Sequence, residues 1–139
     1  MIILDTNVLS ELTRKAPDQN VISWLDALDA TDVGTTSVTA AELLYGVARL
    51  PAGDRKTQLT GAVTDLIEDD FEGRVVPFDV AAASHYAVVV SDREKAGRPI
   101  AVADAQIAAI CRHLRATLAT RNTKDFSGTG IDLLNPWLT

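Results

Sequence analysis

Short apolar runs alternate along this chain with stretches of helical periodicity, and this alternation constrains the fold more than any other feature of the sequence. The runs with strand character are residues 1–4, 33–36, 74–78, 116–120 and 132–134. The stretches with helical spacing are residues 6–14, 20–29, 39–50, 55–71, 79–97 and 101–114. Strands that alternate with helices favour a parallel sheet covered by helices on both faces. We therefore predict an α/β fold, a three-layer sandwich with a short, mostly parallel sheet of about five strands.

The length indicates one domain that spans residues 1–139, since 139 residues is a usual domain size and the chain has no repeat or linker. The single cysteine, Cys111, excludes an intramolecular disulfide framework and a cysteine-rich zinc site. No apolar run approaches the roughly 18 residues of a membrane span, and the N-terminus has no export signal. We expect a cytoplasmic protein that does not enter a membrane.

The net charge of −6 argues mildly against a nucleic-acid-binding protein, because phosphate binding usually requires a basic surface. That argument weakens if some of the carboxylates hold metal ions, which add positive charge. The grouping of the acidic residues therefore matters more than their number.

Five polar residues are positioned to meet at one edge of the predicted sheet. Asp5 follows the first strand directly, and Asn122 and Asp125 follow the fourth. Glu42 and Asp104 lie near helix starts, from which their side chains could reach the same edge. Ligands of open parallel sheets bind beyond the carboxyl ends of the strands, so this edge is the candidate site.

Two of these acids also have a purely structural interpretation. Asp5 could cap the first helix, and Glu42 could bond back to Thr39 in a capping box. Asp104 is harder to explain in this way, because an acidic side chain on an apolar helix stripe needs a partner. Its neighbours on that stripe are Ile100, Ala101, Ile107, Ala108 and Cys111.

Clustered carboxylates without compensating cations resist ionisation, and a hard divalent cation relieves that repulsion. Mg²⁺ or Mn²⁺ in such a site can activate water and stabilise charge on a phosphodiester. His85 and His113 do not have the spacing of metal ligands and favour ordinary surface or capping roles. The chain also has no glycine-rich phosphate loop and no Gly-x-Ser-x-Gly motif, which disfavours nucleotide hydrolysis and serine esterase chemistry.

Four stretches in order along the chain resemble the PIN domain, and more narrowly the VapC and FitB toxins of bacterial toxin–antitoxin modules. They are Ile3–Leu9, Ala41–Leu43 with Gly46, Ala103–Ala109 and Ala119–Phe126. The resemblance covers nearly the whole chain, through Asn135-Pro136-Trp137. It implies a PIN-like sandwich and a metal-dependent endoribonuclease.

The resemblance also implies the residues of the site. Asp5, Glu42 and Asp104 match the acidic positions that hold Mg²⁺ or Mn²⁺ in such proteins. The family often has a fourth acid where this chain has Asn122, whose carbonyl oxygen can bind a metal but brings no charge. Asp125 is a further candidate ligand. One or two ions could therefore be bound.

Thr6 and Ser37 match positions where a hydroxyl commonly supports the metal ligands. The basic residues near the presumed edge are candidate RNA contacts; they are Arg93, Lys95, Arg98, Arg121 and Lys124. The acidic block at residues 68–72 is expected to be a solvated helix end that faces away from the substrate.

The resemblance implies a homodimer that a small VapB- or FitA-like antitoxin silences by covering the active site, with DNA bound only through the antitoxin. Two alternatives remain open. A non-catalytic PIN-like module that binds RNA or protein would fit Asn122 in place of the fourth acid. A phospho-accepting receiver-like domain fits less well, because it needs a late lysine and Lys124 is a poor match.

Overall fold

A computed structural model describes all 139 residues and contains five strands and six α-helices. The strands are β1 (Ile2–Leu4), β2 (Val33–Thr36), β3 (Val75–Val76), β4 (Thr117–Ala119) and β5 (Asp132–Leu134). The helices are α1 (Thr6–Leu12), α2 (Gln19–Asp26), α3 (Ser37–Ala48), α4 (Asp54–Asp65), α5 (Val80–Lys95) and α6 (Val102–Leu114). Each predicted strand and helix therefore has a counterpart. None of the helices combines the length and apolar composition that crossing a bilayer requires.

The five strands form one sheet in the order β3-β2-β1-β4-β5, and every pair in it is parallel. The expected mostly parallel sheet is thus wholly parallel. β1 lies at the centre, where Ile2 pairs with Val33 on one side and with Thr117 on the other. β3 is an edge strand, as Pro77 immediately after it predicted, since proline cannot donate to a central ladder.

Helices cover both faces of the sheet, which gives the predicted three layers. Successive residues of a strand point to opposite faces, so Ile3 and Leu4 belong to different core clusters. Leu4 packs with residues of α1, α3 and α4, including Val8, Leu43 and Val63. The cluster around Ile3 contains the apolar stripe of α6 and buried residues of α5 and β4.

The long helix predicted over residues 55–71 is divided in the structure. α4 ends at Asp65, and a π-helical turn follows at Leu66–Asp70. The amide of Phe71 donates to the Leu66 carbonyl at 2.9 Å, and Phe71 itself is buried in the core. A π-turn adds a residue to the helical repeat, so Phe71 points inward while the acidic residues 68–70 stay exposed. The acidic block is therefore solvated, as expected, but Phe71 within it is not.

Gly34 lies in β2 where the neighbouring chain comes very close. A side-chain carbon at this position would meet the Arg74 carbonyl oxygen at 2.9 Å. The same carbonyl accepts a hydrogen bond of 3.0 Å from the Thr35 amide. Glycine at this position allows the close approach of the β3 segment. It therefore favours the pairing of β2 with β3, although glycine has a low intrinsic propensity for strands.

Candidate functional site

A cleft of about 490 Å³ opens at the carboxyl ends of the central strands. Three predicted acids, Asp5, Glu42 and Asp104, line it together with Asn122. Trp137 is the only hydrophobic residue in the lining. Parallel strands bring their carboxyl ends to one edge, so residues distant in the sequence meet there.

Asp5 is the most firmly held of the three predicted acids in the cleft. Its Oδ1 accepts a 2.8 Å hydrogen bond from the Thr6 amide, so it caps α1 as the structural interpretation expected. Its Oδ2 accepts from the Thr120 hydroxyl at 2.8 Å and from the Asn7 amide group at 3.3 Å. Burial raises the pKa of the Asp5 carboxyl above its usual value, although the hydrogen bonds from Thr120 and Thr6 oppose that rise.

Glu42 does not form the capping box suggested by the sequence. α3 begins at Ser37, and the Thr36 hydroxyl caps it by accepting from the Thr39 amide at 3.1 Å. Glu42 is therefore free to turn toward α1, where its Oε1 accepts a 2.7 Å hydrogen bond from the Thr6 hydroxyl. The Thr6 hydroxyl thus holds an acid of the cleft, whereas Ser37 is exposed and lies outside the lining of the cleft.

Asp104 lies in the first turn of α6 and makes no side-chain hydrogen bond. Partial burial raises the pKa of this carboxyl to about 6, and the negative charges of Asp5, Asp125 and Glu42 add to that rise. The positive charge of Arg93 opposes it. The carboxylates are thus close enough to repel one another. Of the three predicted acids, Asp104 alone accepts no hydrogen bond that would stabilise its charge.

Asn122 and Asp125 occupy the segment after β4. Asn122 lines the cleft, and its amide nitrogen donates to the Thr120 hydroxyl at 3.1 Å while its side chain is unbonded. Asp125 is exposed and outside the lining, but its charge raises the pKa values of both Asp5 and Asp104. Asp125 therefore contributes electrostatically to the site from its margin.

The acids share the cleft without converging on one point, since no three acidic, histidine or cysteine side chains are close enough together to hold a metal ion directly. They are also not neutralised by the protein, because the only salt bridge joins Arg14 to Glu11 at 3.1 Å. Mg²⁺ commonly keeps several waters and binds directly to only one or two carboxylates. A partly hydrated divalent ion therefore fits this set of oxygen donors, and a closed three-carboxylate cage does not.

Arg93, a predicted RNA contact, is buried instead of facing the cleft. Its Nε donates to the Arg98 carbonyl at 2.7 Å, and its Nη1 donates to the carbonyls of Asp125 and Ser127 at 2.9 and 3.0 Å. These bonds tie α5 to the segment that carries Asn122 and Asp125. The phosphate contact inferred for Arg93 is inconsistent with this burial, and its position is that of a residue that holds the site together.

The other predicted RNA contacts are all exposed, but they differ in position. Arg121 lines the cleft. Arg98 donates to the Ser127 hydroxyl at 2.6 Å, beside the segment tied down by Arg93. Lys95 and Lys124 lie outside the lining. Arg121 is therefore the member of the set best placed to meet a ligand in the cleft.

One polar face of α1 was missed by the sequence analysis. Asn7, Ser10 and Glu11 of α1 line the cleft together with Arg14, which follows the helix. The intervals from 7 to 10, 7 to 11, 10 to 14 and 11 to 14 are each three or four residues, the spacing of one helix face. Glu11 is buried and accepts from the Asp18 amide at 2.8 Å as well as from Arg14. A polar stripe on an otherwise apolar helix was the available signal.

A comparison with known proteins adds the family context. The family model described as the PIN domain matches residues 2–131. Toxin FitB of Neisseria gonorrhoeae is 42% identical over 137 residues, which cover 99% of each chain. VapC ribonuclease Y4jK of Sinorhizobium fredii is 39% identical over 99% of this chain and 98% of its own. Among solved structures, FitAB bound to the IR36 DNA fragment superposes with a TM-score of 0.91 at 41% identity, covering 99% of this chain and 96% of that chain.

Proposed function

Because this chain belongs to the PIN-domain family, with relatives among the VapC and FitB toxins, we propose that it is the RNA-cleaving toxin of a toxin–antitoxin pair and depends on Mg²⁺ or Mn²⁺. The observation that carries this proposal is the group of mutually repelling carboxylates in one open cleft. Asp104 has a pKa raised to about 6 and no hydrogen bond or ion pair to relieve it. Such a group is poised to bind a cation.

Asp5, Glu42 and Asp104 would hold the ion, with Asn122 as a neutral oxygen ligand and part of the contacts made through water. When bound, the ion would activate a water molecule and stabilise charge on the phosphodiester. Oxygen ligands of this kind favour Mg²⁺ or Mn²⁺ over softer metals. Asp125 remains a candidate ligand at the margin of the cleft and adds negative potential there.

The residues of the chain have separate roles in this scheme. The three donors to Asp5 fix the direction of its carboxylate, and the Thr6 hydroxyl fixes that of Glu42. Asp104 can move to meet a ligand because no hydrogen bond restrains it. The guanidinium of Arg121 stands in the same cleft and can bind a phosphate of the substrate.

Incubation of the purified protein with single-stranded RNA tests this proposal. We expect cleavage in Mg²⁺ or Mn²⁺, none in excess chelator, and a loss of at least about 100-fold in Asp104→Asn. Asp69→Asn, which removes an exposed acid outside the cleft, is the matched control and should cleave like the parent. Equal cleavage by Asp104→Asn and the parent would contradict the proposed site.

A non-catalytic module that binds RNA or protein is the second candidate. It is favoured by Asn122 in place of a fourth acid and by the spread of the carboxylates in the cleft. Titration with Mn²⁺ separates the two candidates. Saturable binding that Asp104→Asn weakens supports the nuclease, whereas the absence of metal affinity supports the binding module.

The same family membership supports the proposed partners. We propose a homodimer and a small antitoxin whose chain covers the cleft, with DNA reached only through that antitoxin. The solved structure of FitAB bound to a DNA fragment supports the association with DNA. We also propose that the protein acts in the cytoplasm, in keeping with its proposed RNA substrate. Co-purification of the chain with the product of a neighbouring reading frame would test the partnership.

A further inference from the structure

Trp137 is an aromatic residue at the edge of an otherwise polar cleft. Its amide donates to Asn135 Oδ1 at 2.9 Å, and its carbonyl accepts from Asn20 Nδ2 at 3.0 Å. The indole is partly buried and packs against the core cluster that contains Leu4 and Val21. The two hydrogen bonds fix the Trp137 main chain, and the packing against this cluster restrains its ring.

Arg121 covers one face of the indole, and both residues line the cleft. Its Cζ lies 4.9 Å from the centre of the Trp137 ring, within the range of a cation–π contact. The Arg121 amide donates to Asn7 Oδ1 at 3.1 Å, so its backbone is fixed. Its guanidinium has no carboxylate within salt-bridge distance and can therefore move to a phosphate.

An aromatic ring beside a mobile guanidinium is how proteins commonly hold single-stranded nucleic acid. Unpaired bases stack on aromatic side chains, and arginine contributes to the stack or binds the backbone. Bases within a duplex are already stacked and cannot reach such a ring. The carboxylates and this pair line the same cleft, so a base at Trp137 would flank a phosphate at the acids.

We propose that Trp137 and Arg121 form a binding subsite for an unpaired nucleobase next to the phosphodiester that is cut. The base takes the face of the indole that Arg121 now covers, and the guanidinium moves to the adjacent phosphate. This inference rests on the proposed function, since it names how the RNA is held. It predicts that the cleft binds single-stranded RNA in preference to a duplex, and that binding requires the nucleobase as well as the backbone.

Tryptophan fluorescence tests the stacking directly, because the chain has two tryptophans and Trp24→Phe leaves Trp137 as the only one. The protein carries Trp24→Phe with Asp104→Asn to prevent cleavage, and is titrated in Mg²⁺ with a short single-stranded oligoribonucleotide. We expect saturable quenching by this RNA and little quenching by an abasic strand of the same length or by a duplex. Equal quenching by the abasic strand would overturn the proposal.

Kinetics with the Asp104 carboxylate intact provide the second measurement. We expect Trp137→Ala to raise KM for single-stranded RNA by about 10- to 100-fold, with kcat changed much less, and Trp137→Phe to restore most of the loss. Tyr45→Ala, at an exposed aromatic outside the cleft, is the control and should leave KM unchanged. Melting curves check that Trp137→Ala is folded, and the quenching measurement does not depend on that variant.

The two experiments distinguish this subsite from the proposed function. Cleavage with an unchanged KM in Trp137→Ala would overturn the subsite and leave the nuclease standing. Base-dependent quenching without any cleavage by the parent would support the subsite and overturn the nuclease. If Trp137→Ala weakened antitoxin binding alone, the ring would belong to the protein partner and the subsite would be wrong.

Discussion

Asp5 and Asp104 face the same cleft from different elements, and their surroundings differ. Asp5 follows the central strand β1 and accepts hydrogen bonds from Thr6, Asn7 and Thr120. Asp104, in the first turn of α6, accepts none and is held only by its helix. Burial raises the pKa of both carboxyls, but only Asp5 has hydrogen bonds that offset part of the effect.

This difference separates structural and functional contributions within one site. Asp5 is part of the framework, since it caps a helix and satisfies the buried hydroxyl of Thr120. Asp104 makes no hydrogen bond to the framework, and only the charge of Arg93 offsets the repulsion from the neighbouring carboxylates. A site that is fixed on one side and unsatisfied on the other is ready to take up a cation without rebuilding its scaffold.

The largest expected effect is a change of opposite sign in stability when each acid is truncated. Asp5→Ala removes a helix cap and the acceptor of Thr120, so the free energy of unfolding should fall by about 1–2 kcal/mol. Asp104→Ala removes a carboxylate that its acidic neighbours repel, so the free energy of unfolding should rise by up to about 1 kcal/mol. This value is reduced for solvent screening because the carboxyl is partly exposed. Urea unfolding of the metal-free variants at pH 7.5 measures both changes in the free energy of unfolding. An equal loss of stability in Asp5→Ala and Asp104→Ala would contradict the different roles assigned to the two acids.

The pH dependence of stability gives a smaller effect with a definite sign. The pKa of Asp104 is about 6 in the folded protein and 3.8 in the unfolded chain, so the folded state binds the proton more tightly. The stabilisation from this group is complete below pH 4, falls as the pH rises to about 6, and is absent above it. Over that window we expect metal-free protein to lose up to about 1 kcal/mol that Asp104→Asn does not lose.

Added Mn²⁺ should reduce this loss, because a cation stabilises the ionised carboxylates. Urea unfolding at several pH values, in chelator and in Mn²⁺, measures the effect. A stability that rises between pH 4 and pH 6 to the same extent in the parent and in Asp104→Asn would contradict the raised pKa.

The smallest expected effect concerns the hydroxyl groups around the acids. Thr6→Val removes the 2.7 Å hydrogen bond to Glu42 with little change of shape, and should weaken Mn²⁺ binding by about 3- to 10-fold. Ser37→Ala, at an exposed residue outside the cleft, should leave it unchanged. Calorimetric titration with Mn²⁺ compares the pair. A larger loss of Mn²⁺ affinity in Ser37→Ala than in Thr6→Val would show that the Ser37 hydroxyl, and not that of Thr6, supports the metal ligands.

The sequence predicted the fold well because its signals were local. Strand runs, caps and apolar stripes gave all five strands and six helices, and Pro77 placed β3 at an edge. The sequence-based prediction was wrong where a different interaction in the folded protein took the place of the one that the local pattern indicated. Thr39 and Glu42 have capping-box spacing, but Thr36 caps the helix one turn earlier. The predicted continuous helix to residue 71 is divided because a π-turn buries Phe71.

The composition of the site was partly predictable in the same way. Asp5, Glu42, Asp104 and Asn122 were identified from strand ends, helix starts and family resemblance, and all four line the cleft. Their metal-binding role stays a prediction. Arg93 was assigned to RNA because the sequence shows a charge but not its burial.

The sequence by itself determined that Asp5, Glu42 and Asp104 lie close to strand ends or helix starts, and therefore that these acids reach one edge of the sheet. Spacing along the chain suffices for this, because a helix or strand repeats with a fixed period. Only the tertiary structure decided which of these acids receive hydrogen bonds that stabilise their negative charge. Asp5 meets Thr120 across 115 residues, Glu42 meets Thr6 across 36, and Trp137 reaches Arg121. These partnerships depend on how the crossover helices pack, which no local spacing encodes.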